Sequence, residues 1–349
     1  MMNKKFIKGL SLAELKELCE EKGLPKFRSE QLFNWMYNYL VTDFDEMLNL
    51  PKDLRSQFNQ EYILNTLELT DSKSSKYDNT RKLIFKTTSN HFIESVIIPD
   101  KNRVTLCVST QVGCPLDCQF CATGLMGYKK NLTSGEIFDQ YGNAQRISGN
   151  EITNIVYMGM GEPLLNFDNT VKSLSIFSEE LTKGISLKKI TVSTAGIAPK
   201  ILELAETGLK CKIALSLHSC FEDIRTKIMP INKKYSLKEN LDAVAYYANK
   251  TGTRITFEYI MLKGINDRIE DVKALVSLAK KIPSKVNIIP FNSLEHMNPT
   301  GFASELKPTS KNKIDEFVDR LRDNNVTVLI RDTQGEDIAA ACGQLAIKY

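Results

Sequence analysis

Hydrophobic and polar positions follow a helical period over the first part of the chain. Apolar residues recur every three to four positions, which predicts a helix in LAELKELCEEKG after Ser11, a second from about Ser29 through QLFNWMYNYL, and a third from Pro51 through DLRSQF. Ser11 and Glu14 have capping-box spacing. The alternating stretches RKLIFKTT and HFIESVIIP predict strands, and SKSSKYDNT has turn composition. Residues 1–90 are therefore predicted to form a small helical accessory domain with a β extension.

From about residue 103, short β-branched runs alternate with helical stretches. The six predicted strands are VTLCVST, NIVYMGM, KITVSTAG, CKIALSLH, RITFEYIML and KVNIIPFN. Capping-box pairs Thr133/Glu136 and Ser236/Glu239 mark two intervening helices, and KNKIDEFVDRLRDN with TVLIRD adds a last helix and strand. Six repeats are fewer than the eight of a closed βα barrel. We therefore expect an α/β fold in which residues 91–349 form a partial (β/α)6 barrel, with a lateral opening that suits a macromolecular substrate.

Composition narrows the class of protein without identifying a partner. A chain of 349 residues with 42% hydrophobic content can form one large core and a smaller appended domain. It has neither a signal-peptide pattern nor an apolar run of membrane-spanning length, which predicts a cytoplasmic protein with no membrane partner. The net charge of +4 permits an RNA partner without identifying one. Structural disulfides are a poor explanation for eight cysteines in a cytosolic chain.

Three of the cysteines are clustered in GCPLDCQFCATG, directly after the first predicted barrel strand. Cys114, Cys118 and Cys121 have C-x3-C-x2-C spacing and would supply three of the four thiolates that a [4Fe-4S] cluster uses. The fourth iron would stay open, and the amino and carboxylate groups of S-adenosylmethionine (SAM) are able to chelate it. The alternative is a zinc site, but structural zinc takes four protein ligands and no fourth Cys or His is close in sequence.

Polar side chains lie at the carboxyl ends of the predicted strands, where barrel enzymes place their chemistry. These positions are Gly161 with Glu162, Ser193, Ser216 with His218, and Asn292. Each alone is also compatible with an ordinary polar strand end. Together they predict one site at one mouth of the barrel.

The motifs resemble two nested families. C-x3-C-x-aromatic-C, with Phe120 as the aromatic residue, and GMGEP at residues 159–163 resemble the radical SAM superfamily. GCPLDCQFCATG, GMGEPLLN, SLH, MPIN, IPFN and AACGQL resemble the bacterial dual-specificity RNA adenine-C2 methyltransferases, the RlmN family, over nearly the whole chain. The resemblance implies a [4Fe-4S] cluster on Cys114, Cys118 and Cys121. It also implies the SAM contacts Gly161, Glu162, Ser193, Ser216, Leu217, His218 and Asn292.

The resemblance further implies a mechanism that uses two SAM molecules per turnover. Cys342 takes a methyl group from the first, and a radical generated from the second removes hydrogen from that methyl group so that its carbon adds to adenine C2. Cys107 then attacks the Cys342 sulfur, releasing methylated RNA and leaving a transient Cys107–Cys342 disulfide. Glu94 matches the family's proton acceptor, although Cys107 is an equal candidate. From the residues alone, Cys107 is a buried core thiol, Cys342 an exposed, mobile thiol and Glu94 a surface carboxylate.

The implied substrates are an adenine in the peptidyl-transferase region of 23S rRNA and an adenine next to the tRNA anticodon. Either base must be extruded from its stack to react. Reduced ferredoxin or flavodoxin is the expected electron donor, and a monomer is expected. Trp35, Tyr37, Tyr39, Lys26 and Arg28 form a candidate RNA platform, with a simple packing domain as the alternative.

Three other functions stay open. The first is methylation of adenine C8 in 23S rRNA with resulting antibiotic resistance, although GEPLLN resembles the C2 family. The second is a radical SAM reaction on a small molecule, and the third a metal-binding protein without catalytic activity.

Overall fold

One short strand precedes the amino-terminal helices and another follows them, and the two strands pair with each other. The computed structural model describes residues 4–182 and 184–346, so the outermost residues of both predicted domains, 1–3 and 347–349, lie outside it. This region consists of β1 (Lys5–Phe6), α1 (Leu12–Glu21), α2 (Phe27–Tyr37), α3 (Lys52–Glu61) and β2 (Tyr62–Ile63). β1 pairs with β2 in parallel. The three predicted helices are confirmed, as is the capping box at the start of α1.

The aromatic residues on and after α2 divide between packing and exposure. Tyr37 is buried, and its hydroxyl donates to the carbonyl of Leu10 at 2.8 Å and accepts from the amide of Gly9. Trp35 is partly buried, and its ring lies 4.7 Å from that of the exposed Tyr39, tilted by 41°. Tyr37 therefore belongs to the core, and only part of the proposed platform is open to a partner.

The β extension is continuous with the barrel sheet. The strands are β3 (Leu67–Ser74), β4 (Arg81–Thr87), β5 (Phe92–Asp100) and β6 (Arg103–Cys107), each antiparallel to the next. The turn predicted for SKSSKYDNT is shorter than expected, because residues 72–74 belong to β3. The division at residue 90 falls in the turn between β4 and β5, and it stays a prediction.

The barrel strands predicted from sequence are all present. After β6 comes an antiparallel hairpin of β7 (Gln111–Gly113) and β8 (Tyr128–Asn131), which the sequence patterns did not reveal. The remaining strands are β9 (Asn154–Tyr157), β10 (Ile190–Thr194), β11 (Lys212–Ser216), β12 (Ile255–Met261), β13 (Ser284–Pro290) and β14 (Val328–Ile330). The sheet order is β14-β13-β12-β11-β10-β9-β6-β5-β4-β3, parallel from β14 to β6. The partial parallel barrel is thus widened by three antiparallel strands.

Amphipathic helices connect the strands. They are α4 (Ala122–Leu125), α5 (Ser134–Ile147), α6 (Phe167–Ser178), α7 (Ala198–Glu206), α8 (Glu222–Ile228), α9 (Leu237–Thr251), α10 (Ile269–Lys281), α11 (Phe302–Glu305) and α12 (Lys311–Asp323). α12 shows the pattern, since Ile314, Phe317, Val318 and Leu321 are buried at spacings of three or four. The predicted capping boxes at Thr133 and Ser236 are formed. Within residues 4–182 and 184–346, no helix is both long and apolar enough to cross a membrane.

The segment after β14 crosses from one edge of the parallel strands to the antiparallel extension. The amide of Gly335 donates to Asp78 at 2.7 Å, and the amide of Lys76 donates to Asp337 at 3.0 Å. The Lys82 ammonium donates to the carbonyl of Ala339 at 3.2 Å. This crossing brings the carboxyl-terminal cysteine towards β6.

Candidate active site

The three-cysteine loop is held by backbone hydrogen bonds. The amide of Cys114 donates to Gly127 at 3.0 Å, and the amide of Cys121 donates to Cys118 at 3.1 Å. The amide of Gln119 donates to Ile228 at 3.0 Å, which anchors the loop on the end of α8. All three cysteines line one cavity, hereafter the cluster cavity. The local spacing of the motif therefore places the three thiols on the wall of one cavity.

These thiols fit a cationic cluster. Burial raises the pKa of Cys114 to about 12 and that of Cys118 well above its ordinary value. Thiolates in such surroundings need a metal charge to offset their desolvation. In the described part of the chain, no three His, Cys, Asp or Glu side chains stand close enough to share one ion. The cysteines of a cluster bind different irons, so they stand further apart than the ligands of a single zinc ion.

The GMGEP loop turns tightly at the edge of the cluster cavity. Gly161 has φ +97°, and a Cβ there would lie 2.5 Å from the Cβ of Gln111, so only glycine fits. The carboxylate of Glu162 accepts from the amides of Leu164 at 3.0 Å and Ala195 at 2.7 Å. Burial raises the pKa of Glu162 to about 7, although these two amides oppose the shift. The carboxylate thus ties the loop to the end of β10.

His218 presents one defined tautomer to the cluster cavity. Its Nδ1 accepts from the amide of Ile260 at 3.0 Å, so the proton of a neutral ring lies on Nε2. Burial, and then the charge of Arg225, lowers the pKa of His218 to about 3, so the ring is neutral at physiological pH. Ser193 and Ser216 line the same cavity. The site therefore offers neutral donors and acceptors to a ligand.

Leu217 differs from the other predicted SAM contacts. Its side chain is fully buried, and it is not among the residues that line the cluster cavity. Its amide donates to the backbone carbonyl of Glu258 at 3.0 Å, and its own carbonyl accepts from the Arg225 side chain at 3.2 Å. The structure brings Ser216 and His218 to the cavity on either side of it.

Arg225 joins the strand ends beneath the site, and the sequence patterns did not single it out. Its side chain is fully buried and donates to the carbonyls of Ala195 at 2.6 Å and Ser216 at 3.1 Å. It also donates to Asn232, which lies in the MPIN stretch. A single arginine on a short helix is ordinarily exposed, so nothing at position 225 itself indicated a buried side chain. The signal in the sequence was the MPIN stretch, which contains its partner Asn232.

The two distant cysteines line a second cavity, hereafter the two-cysteine cavity. Cys107 is the last residue of β6 and Cys342 lies near the carboxyl terminus, yet both line it together with Met158, Asn292 and Arg331. Cys342 also lines the cluster cavity. Cys107 is buried, as its strand position predicted, and burial raises its pKa to about 12. Cys342 is exposed at the cavity surface, but the surrounding protein atoms still desolvate its thiol and raise its pKa.

The segment around Cys342 is anchored, which corrects the expectation of a mobile tail. The Asn292 side chain donates to the carbonyl of Cys342 at 3.0 Å. The amide of Ala122 donates to the carbonyl of Gly343 at 2.7 Å, and the Thr123 hydroxyl donates to Leu345 at 2.6 Å. Two of these bonds come from the helix that follows the three-cysteine loop. Asn292 lines the two-cysteine cavity and not the cluster cavity.

Glu94 is buried, so the description of it as a surface carboxylate was wrong. The residue is 2% exposed, and its Oε1 lies 3.0 Å from the ammonium of Lys82. Its Oε2 has no hydrogen-bond partner among the described residues. Glu94 lines neither cavity. The alternation of HFIESVIIP predicts one exposed face for β5, whereas residues 93–97 are all buried, so both faces of the strand are covered there.

Arg331 is a second arginine that the sequence patterns did not single out. It lines both cavities, and its guanidinium lies 3.8 Å from the carboxylate of Glu258 and 3.3 Å from the sulfur of Met158. Its charge opposes the burial that raises the pKa values of Cys107 and Cys342. It follows β14, whose pairing with β13 only the fold reveals.

Comparisons with known proteins agree with this architecture. A model of the radical SAM superfamily matches residues 108–279, and a model of the ribosomal RNA large subunit methyltransferase N-terminal domain matches residues 7–64. A protein of Thermotoga sp. strain RQ2, described as a probable dual-specificity RNA methyltransferase RlmN, is 43% identical over 97% of this chain and 96% of its own length. A Salinibacter ruber protein with the same description is 42% identical over 97% of this chain and 93% of its own.

A solved structure extends the agreement to the backbone. The crystal structure of a radical SAM methyltransferase from Sphaerobacter thermophilus superposes with a TM-score of 0.91 at 37% identity, covering 98% of this chain and 99% of that one. The likeness therefore includes the accessory helices, the widened sheet and the carboxyl-terminal segment that carries Cys342. This chain belongs to the RlmN family of radical SAM methyltransferases.

Proposed function

We propose that this protein methylates carbon 2 of an adenine in RNA, with Cys342 as the carbon carrier and Cys107 as the thiol that releases the product. The observation that carries the proposal is that Cys342 lines both cavities, next to Cys107 in one and next to the three-cysteine loop in the other. Carbon 2 lies between two ring nitrogens and is too electron-poor to take a methyl group from SAM directly. A carbon carrier between the two cavities meets that need.

The proposed cofactors fit the residues of the cluster cavity. Cys114, Cys118 and Cys121 would hold a [4Fe-4S] cluster, while Gly161, Glu162, Ser193, Ser216 and His218 would face SAM. When bound, the cluster and two SAM molecules per turnover supply a methyl group and a hydrogen-abstracting radical. The neutral Nε2–H of His218 and the two serine hydroxyls suit the polar edges of SAM.

The two thiols would have different tasks because their surroundings differ. Cys342 is exposed at the cavity surface and is therefore placed to accept a methyl group. Cys107 is deeper and protonated at neutral pH, since its pKa is about 12, so its attack on the Cys342 sulfur requires loss of a proton. Glu94 and Cys107 both stay candidates for the adenine C2 proton. Cys107 lines the two-cysteine cavity, whereas Glu94 lines neither cavity and is paired with Lys82.

The proposed substrates follow the family. The relatives are described as dual-specificity RNA methyltransferases, which supports an adenine of the peptidyl-transferase region of 23S rRNA and an adenine beside the tRNA anticodon. We propose a cytoplasmic monomer that receives its electron from reduced ferredoxin or flavodoxin.

The test is to locate the methyl group. Reduced holoenzyme with a reconstituted cluster is incubated with SAM and either 23S rRNA or tRNA, and the RNA is digested and analysed by mass spectrometry. The expected product is 2-methyladenosine. A product methylated at C8, on ribose or on phosphate would contradict the proposal. Full activity after loss of either Cys107 or Cys342 would favour a different radical SAM reaction.

A further inference from the structure

The side chains that line the barrel interior differ between the carboxyl and the amino ends of its strands. Near the carboxyl ends of the strands it carries Cys107, Met158, Ser193, Ser216 and Glu258, which line the cluster cavity or the two-cysteine cavity. A third cavity, hereafter the amino-end cavity, opens nearer the amino ends. Its cationic residues at or before the strand starts are Arg103 (β6), Lys189 (before β10), Lys212 (β11) and Lys285 (β13). Basic residues of four different strand starts therefore meet in one cavity.

Basic residues outnumber the acidic ones in this cavity. Its three carboxylates are Asp100, paired with Arg103 at 2.8 Å, Glu258, which lies 3.8 Å from Arg331, and Asp332. Among the described residues, no carboxylate lies within 4 Å of the ammonium groups of Lys189, Lys212 or Lys285. Lys285 is half-buried, and burial lowers its pKa; the charge of Glu258 opposes this shift, and the charges of Lys212, Arg254 and Arg103 add to it. Lys189 and Lys212 are exposed, and the like charges of the three lysines create a positive potential at the cavity that an anion would relieve.

The amino-end cavity adjoins the two-cysteine cavity. Both are lined by Ile98, Val156, Met158, Arg331, Asp332 and Gln334. Between them the interior carries Thr105, Thr191 and Thr256, where a closed barrel is filled with bulky branched side chains. From Arg103 to Cys107 the strand rises about 13 Å, a span that one nucleotide and a lysine side chain cover together. A cavity with basic residues at the amino ends of the strands thus lies next to the cavity that holds the reactive sulfurs.

We propose that Lys189, Lys212 and Lys285 bind a phosphodiester of the substrate RNA at the amino-end mouth, and that the target base reaches Cys342 through the barrel interior from that end. The inference rests on the proposed function, in which RNA is the substrate. It adds the end of the barrel at which the RNA enters and the residues that hold the RNA backbone. Phosphate contacts position an RNA without selecting its sequence, so one mouth would accept two RNAs of different sequence. The extruded base would meet the sulfurs while its backbone stays at the lysines.

The test compares two triple variants with the same change in charge. One carries Lys189→Gln, Lys212→Gln and Lys285→Gln, and the control carries Lys273→Gln, Lys280→Gln and Lys281→Gln on the exposed face of α10. Binding of the cluster-loaded proteins to a tRNA anticodon stem-loop is measured by fluorescence anisotropy at several salt concentrations. The mouth variant is expected to bind more than tenfold more weakly at low salt, with a slope of log K against log salt shallower by about 1. The control is expected to change binding less than twofold.

Each outcome either supports the inference or assigns the three lysines a different role. Cluster absorbance and methylation of Cys342 in the absence of RNA should be unchanged in the mouth variant, which shows that it is folded. Equal RNA binding by wild type and the mouth variant would overturn the inference and leave the proposed function intact. Slower reduction by flavodoxin with unchanged RNA binding would assign the lysines to an acidic protein partner. If the mouth variant lost binding of tripolyphosphate but kept binding of RNA, the three lysines would be assigned to a free anion. Absence of RNA binding by the wild-type protein would overturn both proposals.

Discussion

The three-cysteine loop and the two-cysteine cavity adjoin each other and are built in opposite ways. The loop gathers its thiols from eight consecutive residues and holds them with backbone bonds to its own flanks and to the end of α8. The cavity takes Cys107 from a strand inside the ten-stranded sheet and Cys342 from a crossing segment anchored at Ala122, Thr123 and Asn292. A local site depends on its loop, whereas a composite site depends on every element that brings its parts together. Variants should therefore separate cluster binding from methyl transfer.

The largest expected effect separates the two sites completely. Cys342→Ala should abolish RNA methylation while iron content stays at the wild-type level, because the proposed carbon carrier is lost and the three-cysteine loop is untouched. Methylation is measured by nucleoside mass spectrometry, and iron by chemical assay. Cys220→Ala is the matched control, since this half-buried thiol lines neither cavity and its loss should leave both quantities unchanged. RNA methylation by the Cys342→Ala protein would contradict the assignment.

The next effect divides the two thiols of the composite site. Cys107→Ala should retain methylation of Cys342 but stop turnover after the carbon has joined the RNA, so a covalent protein–RNA adduct accumulates. A denaturing gel reveals the adduct, and nuclease digestion followed by mass spectrometry locates it on Cys342. Normal turnover without an adduct would show that another group releases the product.

A third variant tests the side chain that joins the strand ends beneath the cluster cavity. Arg225→Met should lower the free energy of unfolding by about 3 kcal/mol, because it leaves buried carbonyls and the Asn232 side chain without their donor. Denaturant unfolding of the cluster-loaded protein measures the loss. Arg320→Met on the exposed face of α12 is the control and should change stability by no more than about 0.5 kcal/mol. Equal stability of the two variants would refute the role of Arg225.

The smallest effect concerns the anchor of the crossing segment. Thr123→Val removes the hydroxyl that donates to Leu345 and should cost about 1 kcal/mol of stability. Alkylation of Cys342 by iodoacetamide should become faster, as peptide mass spectrometry would show. Thr251→Val removes a comparable bond at the end of α9, far from the site in the fold, and should leave alkylation unchanged. Unchanged alkylation in both variants would mean that the other anchors suffice.

Sequence patterns predicted the elements well because their causes are local. Hydrophobic periodicity located the three amino-terminal helices and the barrel strands, and three capping boxes marked helix starts that the structure confirms. The β7–β8 hairpin escaped because its strands are only three and four residues long and lie on either side of the cysteine motif. The burial of Glu94 escaped because alternation in one strand does not reveal what covers its second face.

By itself, the sequence determined the order of strands and helices, the three-cysteine loop and, through motif resemblance, the family. Those features depend on neighbours within a few residues, whose spacing alone sets which side chains share a face or a turn. Only the tertiary structure decided that Cys342 lies beside Cys107, that Arg225 and Arg331 support the cavities, and that lysines from separate strands, which form no ion pair among the described residues, meet at the opposite mouth. Such juxtapositions result from packing and hydrogen bonds between distant segments, and no local pattern encodes the distance between two such residues.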